Sequence, residues 1–142
     1  DSGSTFIYNN TLGGNWVAIP FNDSAKCQDD SPPLSKPWDY LSRRIYGVNL
    51  GGWIVLEPFI VPYLFEKFNP DETTDTPPTV VDELSLSTAL GKDLASTLEE
   101  HYKALITEED FAQIAAAGLN WVWLPVGWWM IETWEGELMI PK

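Results

Sequence analysis

Apolar residues at unbroken four-residue spacing, Leu86, Leu90, Leu94, Leu98 and Tyr102, constrain this 142-residue chain more than any other feature. Side chains four apart stand one above the other on a helix, so the spacing predicts an amphipathic helix with one buried stripe along residues 86–102. Thr107-Glu108-Glu109-Asp110 then reads as the start of a second helix, in which the Thr107 side chain accepts a backbone N–H while Asp110 reaches back to the cap. Phe111, Ile114 and Ala115 supply its buried face, and Gly118 suits the left-handed residue that ends a helix. Leu119 to Val126 follows at once as a largely apolar run, the pattern of a strand covered on both faces. Upstream, Ile45-Tyr46-Gly47-Val48-Asn49-Leu50 is β-prone and runs into Gly51-Gly52, which predicts a buried strand and a tight loop. Strand, helix and strand in that order, with a short helix-to-strand connection, predict a parallel α/β unit, the opening of an α/β barrel or a doubly wound sheet.

Residues 1–44 lack sustained periodicity and are punctuated by Gly13-Gly14, Pro20, Pro32-Pro33 and Pro37, so they read as an arm that precedes the α/β region of residues 45–142. Phe6, Tyr8, Trp16, Val17, Ile19 and Phe21 are too apolar a set for a free tail and are expected to dock on a surface. Pro58 and Pro62 break regular helix within the apolar stretch 53–65, and residues 69–79 read as a polar loop.

Eight Trp, five Tyr and six Phe suit either a well-packed interior or a surface that stacks on flat apolar faces such as sugar rings. The net charge of −13 opposes a grip on phosphate backbones or an anionic bilayer, which argues against nucleic-acid and membrane partners. The single Cys27 excludes an internal disulfide and any cysteine-built zinc site, leaving it a free thiol or the partner of a cysteine elsewhere. No metal or cofactor is implied. Asn9-Asn10-Thr11 and Asn22-Asp23-Ser24 fit the N-glycosylation pattern at Asn9 and Asn22, and together lean towards a secreted or cell-wall protein. The chain holds no signal peptide and no run of roughly 18 apolar residues, so it is expected to begin after an export signal or anchor.

Arg44 to Trp53, continuing through Val55-Leu56-Glu57-Pro58-Phe59, resembles the first-strand signature of the fungal exo-β-1,3-glucanases of glycoside hydrolase family five. A second block agrees in order and spacing: Leu90-Gly91-Lys92, Glu100-His101-Tyr102, Ile106 to Phe111, Ala117 to Asn120 and Leu124 to Trp129. The resemblance covers about residues 44–136, and the arm is similar to the longer arm of membrane-anchored relatives. It implies the N-terminal part of an eight-stranded (β/α) barrel, about its first two strands, incomplete alone, acting on β-1,3-linked glucose chains with retention. Catalytic side chains of such barrels stand at the C-terminal ends of the strands. By the same resemblance Glu57 is the glutamate that hydrogen-bonds the terminal glucose, work that suits a carboxylate because it accepts charge-assisted bonds from hydroxyls. Phe59 takes a position where relatives often carry tyrosine, and Trp128 and Trp129 are placed to meet sugar.

Two departures accompany the matches. Relatives place an arginine before the run that here reads Leu124-Pro125-Val126-Gly127, where it supports the nucleophilic glutamate. This chain has Trp123, whose single N–H cannot replace a guanidinium fork. Retaining hydrolysis also needs an acid/base and a nucleophile about 5 to 5.5 Å apart. No Asn-Glu pair of the acid/base type occurs, and Glu132, Glu135 and Glu137 fall in a loop. The catalytic pair is therefore expected on a second polypeptide, or the chain is a glucanase-derived binding or self-assembling module. His101, the sole histidine, is expected to serve on the helix surface or in packing. Trp53 and Trp134 share the strand-end location of Trp128 and Trp129, whereas Trp123 is expected to be mainly structural.

Overall fold

The computed structural model describes residues 7–9, 15–17, 23–69, 76–132 and 135, the first two segments as backbone. The chain forms two compact units, Asp1–Val48 with Ile106–Trp123, and Asn49–Leu105 with Leu124–Lys142.

In the first unit β1 (Ile7–Asn9) and β2 (Asn15–Val17) form an antiparallel hairpin in which Tyr8 opposes Trp16. The arm is thus partly structured, and the backbone of β2 runs beside helix α4 (Glu108–Ala116). The side chains expected to dock there, from Phe6 to Phe21, lie outside the described residues, as does Asn22, and Asn9 is described only as the last backbone position of β1.

Helix α4 begins as its sequence predicts. Thr107 accepts from the Asp110 N–H at 3.4 Å, and Asp110 Oδ2 accepts from the Thr107 N–H at 2.7 Å. The backbone N–H and then the hydroxyl of Thr107 hold the Asp110 carboxyl below its usual range, so the box is intact above that range and is lost as acid titrates Asp110 through its lowered value. Thr107→Ala is expected to cost about 1 kcal/mol in urea unfolding at neutral pH, and a loss under about 0.3 kcal/mol would show that the cap contributes nothing. At the other end Gly118 has φ 88° and its N–H donates to the Ala115 carbonyl at 3.0 Å, while the Gln28 amide donates to the carbonyls of Ala115 and Leu119 and so ties the arm to the end of α4.

Strand β4 (Trp121–Trp123) then lies parallel beside β3 (Gly47–Asn49). Asn120 sets their pairing. Its Oδ1 accepts from the Tyr46 N–H at 2.9 Å, its Nδ2 donates to the Arg44 carbonyl at 3.3 Å, and its own N–H donates to the Tyr46 carbonyl at 2.9 Å. Both strands are shorter than their apolar runs, and neither is buried as expected: Trp121, Val122 and Trp123 are exposed, Trp123 by 74%. A two-stranded pair has no second layer of its own, and among the described residues only Trp38 and Tyr40 meet a β4 ring, that of Trp121, at centroid distances of 5.7 and 6.4 Å.

The second unit is helical. Pro62 opens the single turn α1 (Pro62–Phe65), using its fixed φ where no N–H is needed, so the predicted break at Pro58 and Pro62 becomes a late start. The long stripe divides: α2 (Glu83–Leu90) and α3 (Leu94–Leu105) are separated by a 3₁₀ turn at Gly91–Asp93, because Gly91 adopts φ 53°, outside the right-handed region. The stripe itself survives, with Leu86, Leu90, Leu94 and Leu98 all buried together with Leu56, Val61, Leu64, Phe65 and Val80. Helix α2 also starts on a capping box, Asp82 with Ser85, in which a serine hydroxyl stands where an acid or amide is usual. In the polar loop, Asn69 ties residue 69 to 79–80 by accepting from the Thr79 and Val80 N–H groups and donating to the Val80 carbonyl at 2.8 Å.

Candidate functional site

Glu57 stands on the loop that follows β3. Its Oε2 accepts from the Gly52 N–H at 2.8 Å, which closes a turn over residues 52–57 and fixes one edge of the carboxylate. Its main-chain carbonyl accepts from the Ile60 and Val61 N–H groups at 2.9 and 3.0 Å, so backbone and side chain are held together. Oε1 carries no hydrogen bond among the described residues, and Glu57 is only partly buried. The arrangement leaves one charged acceptor for a hydroxyl.

The residues just before Glu57 fasten the loop to the helices. Leu56 N–H donates to Glu83 Oε2 at 3.1 Å, an acidic side chain only 8% exposed. Trp53 Nε1 donates to the Tyr102 carbonyl at 2.8 Å near the end of α3, which assigns Trp53 to anchoring. His101 is buried, at 4% exposure, so the surface alternative for it is corrected: its ring meets the Gly52 and Trp53 carbonyls and the Tyr63 hydroxyl. Burial, and after it the charge of Glu83, push the Tyr102 phenol well above its ordinary value. Glu83 and His101 both hold the backbone of this loop; Glu83 is not among the residues that the sequence singles out, and His101 is singled out without its partners. The only signal was a polar residue on a helix with an apolar stripe.

Phe59 shares the loop but turns outward, 80% exposed, so it stands apart from the Glu57 turn as a surface aromatic. After β4, residues Trp128–Met130 form a 3₁₀ turn that brings Trp128 and Trp129 together edge to face, with ring centroids 5.9 Å apart. Trp129 packs so closely on Gly127 that a side chain there would overlap the indole. Trp128 is half exposed and offers a flat face. Trp123, expected to be structural, is instead among the more exposed large side chains. Glu132 and Glu135 are exposed, while Trp134 and Glu137 lie outside the described residues. Cys27 is exposed, its Sγ 3.4 Å from Ser31 Oγ and 3.8 Å from the Asn120 carbonyl oxygen. No helix among the described residues is long and apolar enough to cross a membrane.

Comparison with known proteins gives the class first: the chain is homologous to fungal glycoside hydrolases. The relatives are glucan 1,3-beta-glucosidases of one type. The chain is 42% identical over 137 residues to the probable glucan 1,3-beta-glucosidase D of Aspergillus niger, covering 94% of this chain and 16% of that protein. It is equally similar to the counterpart of Aspergillus terreus over the same shares. With the glucan 1,3-beta-glucosidase D of Emericella nidulans it shares 44% identity over 122 residues, 86% of this chain and 14% of that one. The chain therefore spans about a sixth of the length of the curated relatives it matches. No family model matches it.

Proposed function

We propose that the chain is part of a secreted, retaining β-1,3-glucan hydrolase of glycoside hydrolase family five. Residues 1–44 serve as its arm and 45–142 as the beginning of its (β/α) barrel. Glu57 binds the terminal glucose, Phe59, Trp128 and Trp129 add apolar contacts to sugar, and Asn9 and Asn22 carry glycans. The acid/base and nucleophile glutamates are supplied from outside these 142 residues.

The observation that carries this reading is the Glu57 carboxylate, half engaged by Gly52 and half open on the loop beyond a parallel strand. Ligands of barrel enzymes meet the chain at that end of the strands. The relatives' names supply the glucan. In the full-length protein, Glu57→Gln keeps the side-chain shape but removes the charge, and is expected to raise KM for laminari-oligosaccharides about tenfold, the worth of one charge-assisted hydrogen bond. An unchanged KM would remove Glu57 from the subsite. Trp123 at the relatives' arginine position favours a second reading, a glucan-binding protein without turnover. Oligosaccharide binding with no cleavage selects it.

A further inference from the structure

The ring of His101 is committed at both nitrogens. Nε2 lies 2.8 Å from the Gly52 carbonyl oxygen and 3.0 Å from that of Trp53. Carbonyl oxygens only accept, so Nε2 carries the hydrogen and shares it between them. Nδ1 lies 2.6 Å from the Tyr63 hydroxyl. With the ring's one hydrogen on Nε2 in the neutral tautomer, Nδ1 is the acceptor, and the Tyr63 hydroxyl, raised by desolvation, donates to it. Gly52 is thereby gripped twice: its carbonyl faces His101, and its N–H faces Glu57 Oε2 at 2.8 Å. Between the two bonds lies a glycine at φ 70°, the residue type with the softest backbone. Without a hold on its carbonyl side, the direction of its N–H is poorly defined.

We propose that His101 is a positioning residue for Glu57: by clasping the Gly52 and Trp53 carbonyls it aims the Gly52 N–H at one carboxylate oxygen and leaves the other for a sugar hydroxyl. Tyr63 sets the ring's tautomer and tilt. This deepens the subsite reading above and rests on it, because the positioned group is the proposed glucose ligand. The geometric part, a Gly52 held from α3, stands without any sugar.

The test uses the full-length protein with His101→Leu, His101→Gln and Tyr63→Phe, each alone, and His101→Leu combined with Glu57→Gln. A glutamine amide restores an N–H near the Nε2 position, whereas leucine removes it. His101→Leu is expected to raise KM for laminari-oligosaccharides roughly tenfold with kcat within about twofold, and His101→Gln to raise KM by no more than about threefold. In the Glu57→Gln background His101→Leu should add no further loss, since both act on one carboxylate. Amide exchange at Gly52 should accelerate by tenfold or more in His101→Leu and recover in His101→Gln. Equal impairment by leucine and glutamine, additive losses in the double variant, or unchanged exchange at Gly52 overturns the proposal. If Glu57→Gln leaves KM unchanged, the subsite reading falls. Exchange at Gly52 then decides whether His101 holds the turn. Should His101→Leu fail to fold, Tyr63→Phe and His101→Gln carry the test, with the smaller KM rise and faster Gly52 exchange expected for Tyr63→Phe, and no change in either overturning it.

Discussion

Replacing Leu86 with Ala is expected to destabilise the protein by about 3 kcal/mol, within the range for a leucine deleted from a packed interior. Leu86 is 0% exposed and lies in the cluster that α2 and α3 form with Leu56, Val61, Leu64 and Phe65. The cost has two parts, lost transfer of the side chain from water and the void that α2 cannot close. The void is hard to close because α2 is held by the Asp82–Ser85 box at its start and turned by Gly91 at its end. Leu84, two residues back on the opposite face of α2 and 52% exposed, is the control, and Leu84→Ala should cost under about 0.5 kcal/mol. Urea unfolding of the two variants beside the parent measures both. A Leu86→Ala loss below about 1 kcal/mol would mean that the helical unit repacks freely and that its core is not the close-packed one described.

The same leucines show how far the sequence speaks. Their spacing gave the buried stripe correctly, yet it concealed the division between α2 and α3. Leu90 and Leu94 keep their four-residue interval across the 3₁₀ turn, so periodicity is indifferent to the break, and only the left-handed Gly91 produces it. The start and end of α4 are legible because they depend on residues three or four apart, as at Thr107 with Asp110 and at Gly118, whereas the Asp82–Ser85 box of α2, with serine in place of the usual acid or amide at its third position, is not. The burial of β4 was not. An apolar run records what a strand is suited to have around it, and in the described residues Trp123 and Val126 remain exposed.

The site divides along the same line. Glu57 and Gly52 are five apart, so the turn between them is local, and resemblance marked the glutamate from its motif. The support beneath it is not local. His101 reaches Gly52 across 49 positions and Tyr63 across 38, and Glu83 reaches Leu56 across 27. No spacing rule connects residues that far apart, so a lone histidine on a helix could be placed at the surface or in packing but not assigned its partners.

Gly52→Ala is expected to cost about 3 kcal/mol in stability. Gly52 is buried with φ 70°, where an L side chain adds about 1 kcal/mol of backbone strain. A Cβ there would also stand 2.7 Å from Ile60 Cγ2, 3.1 Å from Ile60 Cβ and 3.1 Å from Val61 Cγ1. The first of these atoms is too close for any real contact, and Val61, 0% exposed, has nowhere to retreat. Gly91→Ala separates the two contributions. Its φ is also positive, at 53°, with ψ −117° outside the αL basin, but nothing lies within 4 Å of its Cβ position, so its cost should be the backbone part alone, about 1 to 3 kcal/mol. Gly51→Ala separates structure from function. Its Cβ would fall 2.7 Å from Glu57 Oε2 and 2.6 Å from Ile60 Cδ1, a side-chain tip that can swing because Ile60 is 41% exposed. That variant should lose little stability and still displace the carboxylate, raising KM for laminari-oligosaccharides about as much as Glu57→Gln does. If Gly52→Ala costs no more than the backbone strain of about 1 kcal/mol, the crowding against Ile60 and Val61 is relieved by movement of the loop. Glu57 would then be held by its main chain rather than by the Gly52 N–H.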